Sequence, residues 1–201
     1  MAIKVANNNS LSAITSLPAA VSGGAMTLLS TQTASGSSTL SFTSGIDSTY
    51  DEYVFKFYDL NPATDDKKFQ FNLSADGGSN YNVTKTTTFF SAYHDESDTA
   101  TNLGYRTGND LAQGTGVQFF TDSAGNGSDE SAAGELHLFA PSSTTFVKHF
   151  YSRTSTYYTS NYAFDVFVAG YANTTSAVNA VQFSVESGGN FDGVIKMYGV
   201  S

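Results

Sequence analysis

Hydrophobic and polar residues alternate through short stretches of this chain. In Lys68-Phe69-Gln70-Phe71-Asn72-Leu73-Ser74, Phe69, Phe71 and Leu73 fall on one side, and Lys68, Gln70, Asn72 and Ser74 on the other. A period of two is that of a half-buried β-strand. Asp51–Leu60 repeats the pattern, with Tyr53, Phe55 and Phe57 on one face and Val54, Lys56 and Tyr58 on the other. The same reading predicts strands over Met26–Thr31, Ser38–Thr43, Tyr81–Tyr93, Gly116–Asp122, Glu135–Ala140, Thr145–Arg153, Tyr162–Tyr171, Val178–Glu186 and Val194–Val200. The total is near ten.

Turn signals separate these stretches. Ala34-Ser35-Gly36-Ser37, Asn61-Pro62-Ala63-Thr64-Asp65-Asp66, Asp76-Gly77-Gly78-Ser79 and Ser187-Gly188-Gly189-Asn190 each combine small, polar or glycine residues that bend a chain. Asp76-Gly77-Gly78 reads as a hairpin turn. Residues 94–113 form the longest region without a firm strand, interrupted by Tyr105-Arg106, and loops of that length often carry function. Strands every 8–15 residues with no helical window predict an all-β sandwich or jelly roll over residues 26–201. No fixed-period repeat points to a propeller or β-helix.

Residues 1–25 differ. Leu11, Ile14, Leu17 and Val21 recur every three to four residues, Ser10 could cap a helix, and Pro18 would end it. Two turns of helix are marginal alone. The segment is therefore expected to be an arm that orders against a neighbour.

Composition narrows the function classes. Sixteen Phe, twelve Tyr and no Trp suit strands, and 18 Gly with only 3 Pro suit a turn-rich β protein. The formal charge of −9 and the lack of any basic run argue against nucleic-acid or anionic-membrane partners. The absence of cysteine removes disulfides, thiolate zinc sites and cysteine nucleophiles. Residues 1–9 lack the apolar core of a secretion signal, and no stretch reaches membrane-spanning length, so no membrane insertion is expected.

Little in the sequence carries chemistry. His94, His137 and His149 have no metal-ligand spacing and are read as structural or interface residues. The clusters Asp95, Glu96, Asp98 and Asp122, Asp129, Glu130 are oxygen-rich but do not follow a calcium-loop pattern, so no metal and no cofactor are expected. The tyrosines say more. Tyr151, Tyr157, Tyr158 and Tyr162 crowd one segment with Arg153 and Asn161. Aromatic faces can stack on a sugar while polar neighbours fix its hydroxyls, and these six are the expected ligand-binding residues. Core or subunit-interface packing is the competing reading.

Three stretches resemble jelly-roll modules of bacteriophage tail fibres and related virion surface proteins, and the N-terminal arm resembles the opening of short virion proteins of marine phages. The three stretches are Ile46-Asp47-Ser48-Thr49-Tyr50-Asp51-Glu52-Tyr53-Val54-Phe55-Lys56-Phe57 with the turn Asn61-Pro62-Ala63-Thr64-Asp65, then Phe69 through Tyr81 with its Asp-Gly-Gly-Ser, and Asp192-Gly193-Val194-Ile195-Lys196-Met197-Tyr198-Gly199-Val200 at the end. The resemblance implies a jelly-roll-like sandwich in a homotrimer, made in the host cytoplasm and carried on the virion. It implies other virion proteins as partners, contacted through the arm, and a compact fibre module that displays loops to a host-surface glycan. The chain lacks heptads, collagen-like repeats or any other shaft. A capsid decoration protein is therefore an alternative, and a virion-associated glycan hydrolase a second one, although no catalytic motif is present and an enzyme is not expected. The resembling motifs are strands and turns, so they transfer no binding residue.

Overall fold

The computed structural model describes residues 26–201; residues 1–25, with Leu11, Ile14, Leu17 and Val21, lie outside the described residues. Twelve strands run in chain order as β1 (Met26–Ser37), β2 (Thr39–Phe42), β3 (Glu52–Pro62), β4 (Phe69–Ser74), β5 (Lys85–Asp95), β6 (Thr101–Tyr105), β7 (Gln118–Phe119), β8 (Ala132–Phe139), β9 (Lys148–Tyr158), β10 (Tyr162–Ala172), β11 (Ala180–Val185) and β12 (Phe191–Val200). They form two antiparallel sheets, one of eight strands in the order β1-β12-β3-β8-β9-β10-β5-β6 and one of four in the order β2-β11-β4-β7.

The order carries a recognisable logic. The first four strands of the large sheet, β1-β12-β3-β8, match the small sheet β2-β11-β4-β7 so that each matching pair is consecutive in the chain. The chain thus passes from sheet to sheet at every such step, which is jelly-roll connectivity. β9, β10, β5 and β6 extend the large sheet past this unit, and the loops between β6 and β8 join this half.

Phenylalanine fills the space between the sheets. Phe183 lies at the centre, with its ring centroid 5.3 Å from Phe55, 5.4 Å from Phe57 and 6.0 Å from both Phe42 and Phe120. Phe71 reaches across to Phe150 at 5.3 Å, edge to face. The predicted inward residues Tyr53, Phe55, Phe57, Phe69, Phe71 and Leu73 are all buried, but Asn72 and Ser74, expected on the outward side of β4, are buried too. Val54 is buried as well, so the outward side of β3 is covered locally.

Several expected boundaries shift. β1 continues through the predicted turn at 34–37, because Gly36 at φ +59° lets the strand bulge rather than reverse. β5 starts at Lys85 rather than Tyr81, β7 shrinks to two residues, and β6 arises inside the region expected to lack a firm strand. Pro62 is the last residue of β3, where a missing N–H is tolerated. Asp76-Gly77-Gly78 does not form a hairpin turn, since β4 and β5 belong to different sheets. It shapes a crossing loop, in which Asp76 accepts from the Asn80 backbone N–H at 2.9 Å, the Asn80 side-chain amide at 2.7 Å and the Ser74 hydroxyl at 2.7 Å.

Candidate functional site

The extension of the large sheet builds a groove of about 460 Å³ on its inner face. That volume lies within the roughly 300–1,000 Å³ of ordinary small-molecule sites. β9 and β10 meet in a hairpin through Thr159-Ser160-Asn161, where Asn161 takes φ +64° and donates its N–H to the Tyr158 carbonyl at 3.0 Å. Asn tolerates this left-handed conformation, which closes a three-residue hairpin loop. The closure sets Tyr158 opposite Tyr162 in the ladder. On the other side of β10, Phe164 is paired with Tyr93 of β5.

Paired residues share a face, so these four rings meet. Tyr93 stacks on Phe164 at 5.0 Å, and Tyr158 stacks on Phe164 at 4.9 Å. Tyr162 stands edge-on to Tyr93 at 5.4 Å and to Tyr158 at 5.8 Å. Arg106, Asn109, Asp122 and Ser160 complete the lining. β6 hands Arg106 to the groove: its Nε donates to Ser91 Oγ at 3.0 Å, and its guanidinium lies 5.8 Å from the Tyr93 ring. Among the described residues the Arg106 guanidinium and the Asp122 carboxylate form no ion pair, although both line one groove. The Tyr158 hydroxyl is held above its ordinary pKa, first by burial and then by the charges of Asp66 and Asp122. It therefore stays protonated at neutral pH and can donate.

The six residues expected from sequence fall in three places. Tyr158 and Tyr162 line the groove. Tyr157 points to the opposite face of β9, where its hydroxyl contacts Glu96 Oε1 at 3.1 Å and Asn161 Oδ1 at 3.2 Å. Tyr151 and Arg153 lie further along that outer face. Tyr151 stacks on His137 at 4.4 Å, and Arg153 makes a two-pronged pair with Asp165 at 3.1 and 2.8 Å while covering the Phe167 ring. Strict alternation along β9 separates them: neighbours in sequence face opposite ways. Sequence reasoning missed Tyr93, Arg106, Asn109, Asp122, Ser160 and Phe164 as groove residues. The Tyr105-Arg106 interruption was the one local signal.

Most carboxylates of the acidic clusters are engaged within the chain. Asp95 accepts from the Thr99 and Ala100 backbone N–H groups at 2.8 Å each and from the Thr99 hydroxyl at 2.5 Å. These bonds, the Thr99 side chain first, hold it below the usual carboxylate range. Asp98 pairs with His94 at 3.1 Å, and Glu130 accepts from the Gly127 N–H at 2.7 Å. Among the described residues no group of three or more His, Asp or Glu side chains is placed to hold a metal ion. His137 contacts Glu52, and His149 lies exposed beside Tyr171. Comparison with family models, curated proteins and solved structures finds no match to this chain.

Proposed function

We propose that this protein is a non-enzymatic recognition module of a virion surface. In this reading it is a compact attachment domain, assembled as a homotrimer and joined to other virion proteins through residues 1–25, which holds a host-surface glycan. The aromatic groove carries the reading. Three stacked rings and one upright ring offer faces for the apolar side of a sugar. Arg106 and Asp122, not paired with each other, offer a donor and an acceptor to the same ligand, and Asn109 can supply both. A neutral hexose with adjacent hydroxyls suits this mixture better than an anionic sugar, which Asp122 and Asp66 would repel. Placement on a phage particle rests on the resemblance in strand and turn motifs, with which the jelly-roll connectivity agrees.

Binding is favoured over hydrolysis by the carboxylates. Glycoside cleavage needs an acid kept protonated near neutrality, beside a second carboxylate. Of the two carboxylates this needs, the groove lining supplies one, Asp122. One observation favours the decoration alternative: the outer face of the large sheet exposes Tyr58, Phe90, Leu103, Tyr105 and Tyr151, a surface suited to covering neighbouring subunits.

The test is a glycan array of neutral and acidic oligosaccharides probed with the purified chain, followed by titration of the best binder. Tyr162→Ala and Arg106→Ala should each weaken binding about 10-fold or more, the loss of one stacking or charged hydrogen-bond contact. Tyr151→Ala should leave it unchanged. Equal losses at Tyr151 and Tyr162, or no bound glycan at all, would move the assignment to capsid decoration.

A further inference from the structure

Asn72 on β4 and Lys85 on β5 meet inside the molecule, between strands of different sheets. Lys85 is 0% exposed and Asn72 6%. The Lys85 Nζ donates to Asn72 Oδ1 at 2.5 Å and to the Val83 carbonyl at 2.8 Å. Among the described residues no carboxylate pairs with it. A buried ammonium without a counter-charge is costly, and burial draws this one down to about 8. Roughly a tenth of it is free amine at neutral pH, and a desolvated lysine amine is a nucleophile.

Its neighbour is set up as the electrophile. Asn72 Oδ1 also accepts from the Leu73 backbone N–H at 2.9 Å, a donor placed to hold negative charge that develops on that oxygen. Asn72 Nδ2 is fixed by the carbonyls of Tyr81 at 2.6 Å and Thr115 at 3.1 Å, so the amide plane cannot turn away. Lys148 gives the contrast. It is equally buried, but its Nζ meets only the backbone carbonyls of Phe146 and Thr174 and has no side-chain amide to attack.

We propose that Lys85 and Asn72 join in an intramolecular amide cross-link. The neutral Nζ attacks Asn72 Cγ, and the carbonyl π pair moves onto Oδ1, whose charge the Leu73 N–H stabilises by its hydrogen bond. One Nζ proton passes to Nδ2, the Oδ1 pair re-forms the carbonyl as the Cγ–Nδ2 bond breaks, and ammonia leaves; no oxidant or reductant is needed. No carboxylate touches the pair to shuttle that proton, so the reaction is slow and accelerates as the amine is freed at mildly alkaline pH. The product ties the two sheets covalently across the loop that holds Asp76.

Intact-mass measurement tests this on the full chain held for days at mildly alkaline pH. The expected product is one ammonia lighter than the sequence, about 17 Da, as amide exchange requires. Proteolytic mapping should recover one branched peptide joining the segments that carry Asn72 and Lys85. Lys85→Arg keeps a cation in place but supplies no comparable nucleophile, and should retain the full mass. Full mass in the unaltered protein overturns the proposal. So does a loss that maps elsewhere, such as ring closure at Asn126-Gly127.

Discussion

Phe71 and Gln70 show how far one residue step changes the cost of a substitution. Phe71 is wholly buried between Phe120, Phe150 and Phe183, while Gln70 is half-buried and donates to Ser184 Oγ at 3.0 Å. Phe71→Ala should cost about 3–5 kcal/mol, from lost transfer energy and the cavity left behind. Gln70→Ala should cost about 1 kcal/mol or less, the net worth of one hydrogen bond. Chemical denaturation of the two variants separates these values, and equal small effects would contradict the register of β4. The inward set of β4 was legible at this scale because alternation is a local property. The groove was not. Tyr158 and Tyr162 stood out as tyrosines in a polar segment, but their partners Tyr93 and Phe164 looked like ordinary strand aromatics.

Loops and bulges carry the next scale. The Asp76 loop is held by a carboxylate that the Asn80 amide, first, and Ser74 hold down to about 2 from an ordinary 3.8. The folded state prefers the charged form, so its contribution is complete above pH 3.8 and is lost as pH falls through about 2. Asp76→Asn should flatten that part of the acid limb in melts followed by circular dichroism; an unchanged limb would mean that the loop contributes nothing. In β12, Gly193 sits at φ +134° where the pairing with β3 slips, and an added Cβ would come 2.8 Å from the Asp59 carbonyl. Gly193→Ala should cost about 1–3 kcal/mol, the usual range for enforced backbone strain. Gly116→Ala, with open space around it, is the control and should be near neutral in the same thermal melts.

The whole molecule presents two surfaces of different character. The inner groove is concave and mixed in polarity; the outer face of the large sheet carries exposed apolar side chains, with Leu103 70% exposed on the edge strand β6. An exposed edge beside apolar side chains favours association. The homotrimer proposed above should give three times the 21.3 kDa chain mass by light scattering at micromolar concentration. A clean monomer, with no oligomer on particles, would remove it. Deleting residues 1–25 should leave the β body with an unchanged melting temperature but prevent its incorporation into particles. Normal copy number after deletion would refute the anchoring role.

The residue pattern alone was enough for the fold class and most strands, because a period of two marks each half-buried strand wherever it stands. It also determined the inward face of β3 and β4, and the absence of disulfides, since those depend only on residue identity and spacing. It did not determine which strands are neighbours. That was decided by the tertiary structure, where Asp-Gly-Gly-Ser became a crossing between sheets rather than a hairpin, and where 94–113 yielded an edge strand stabilised by pairing with β5. The groove belongs to the same class of fact. Tyr93, Arg106, Asp122 and Phe164 come from separate elements, and only long-range pairing brings them to one face. Tyr157 and Tyr158 make the point in two residues: adjacent in the chain, they serve opposite faces because a strand turns every second side chain away.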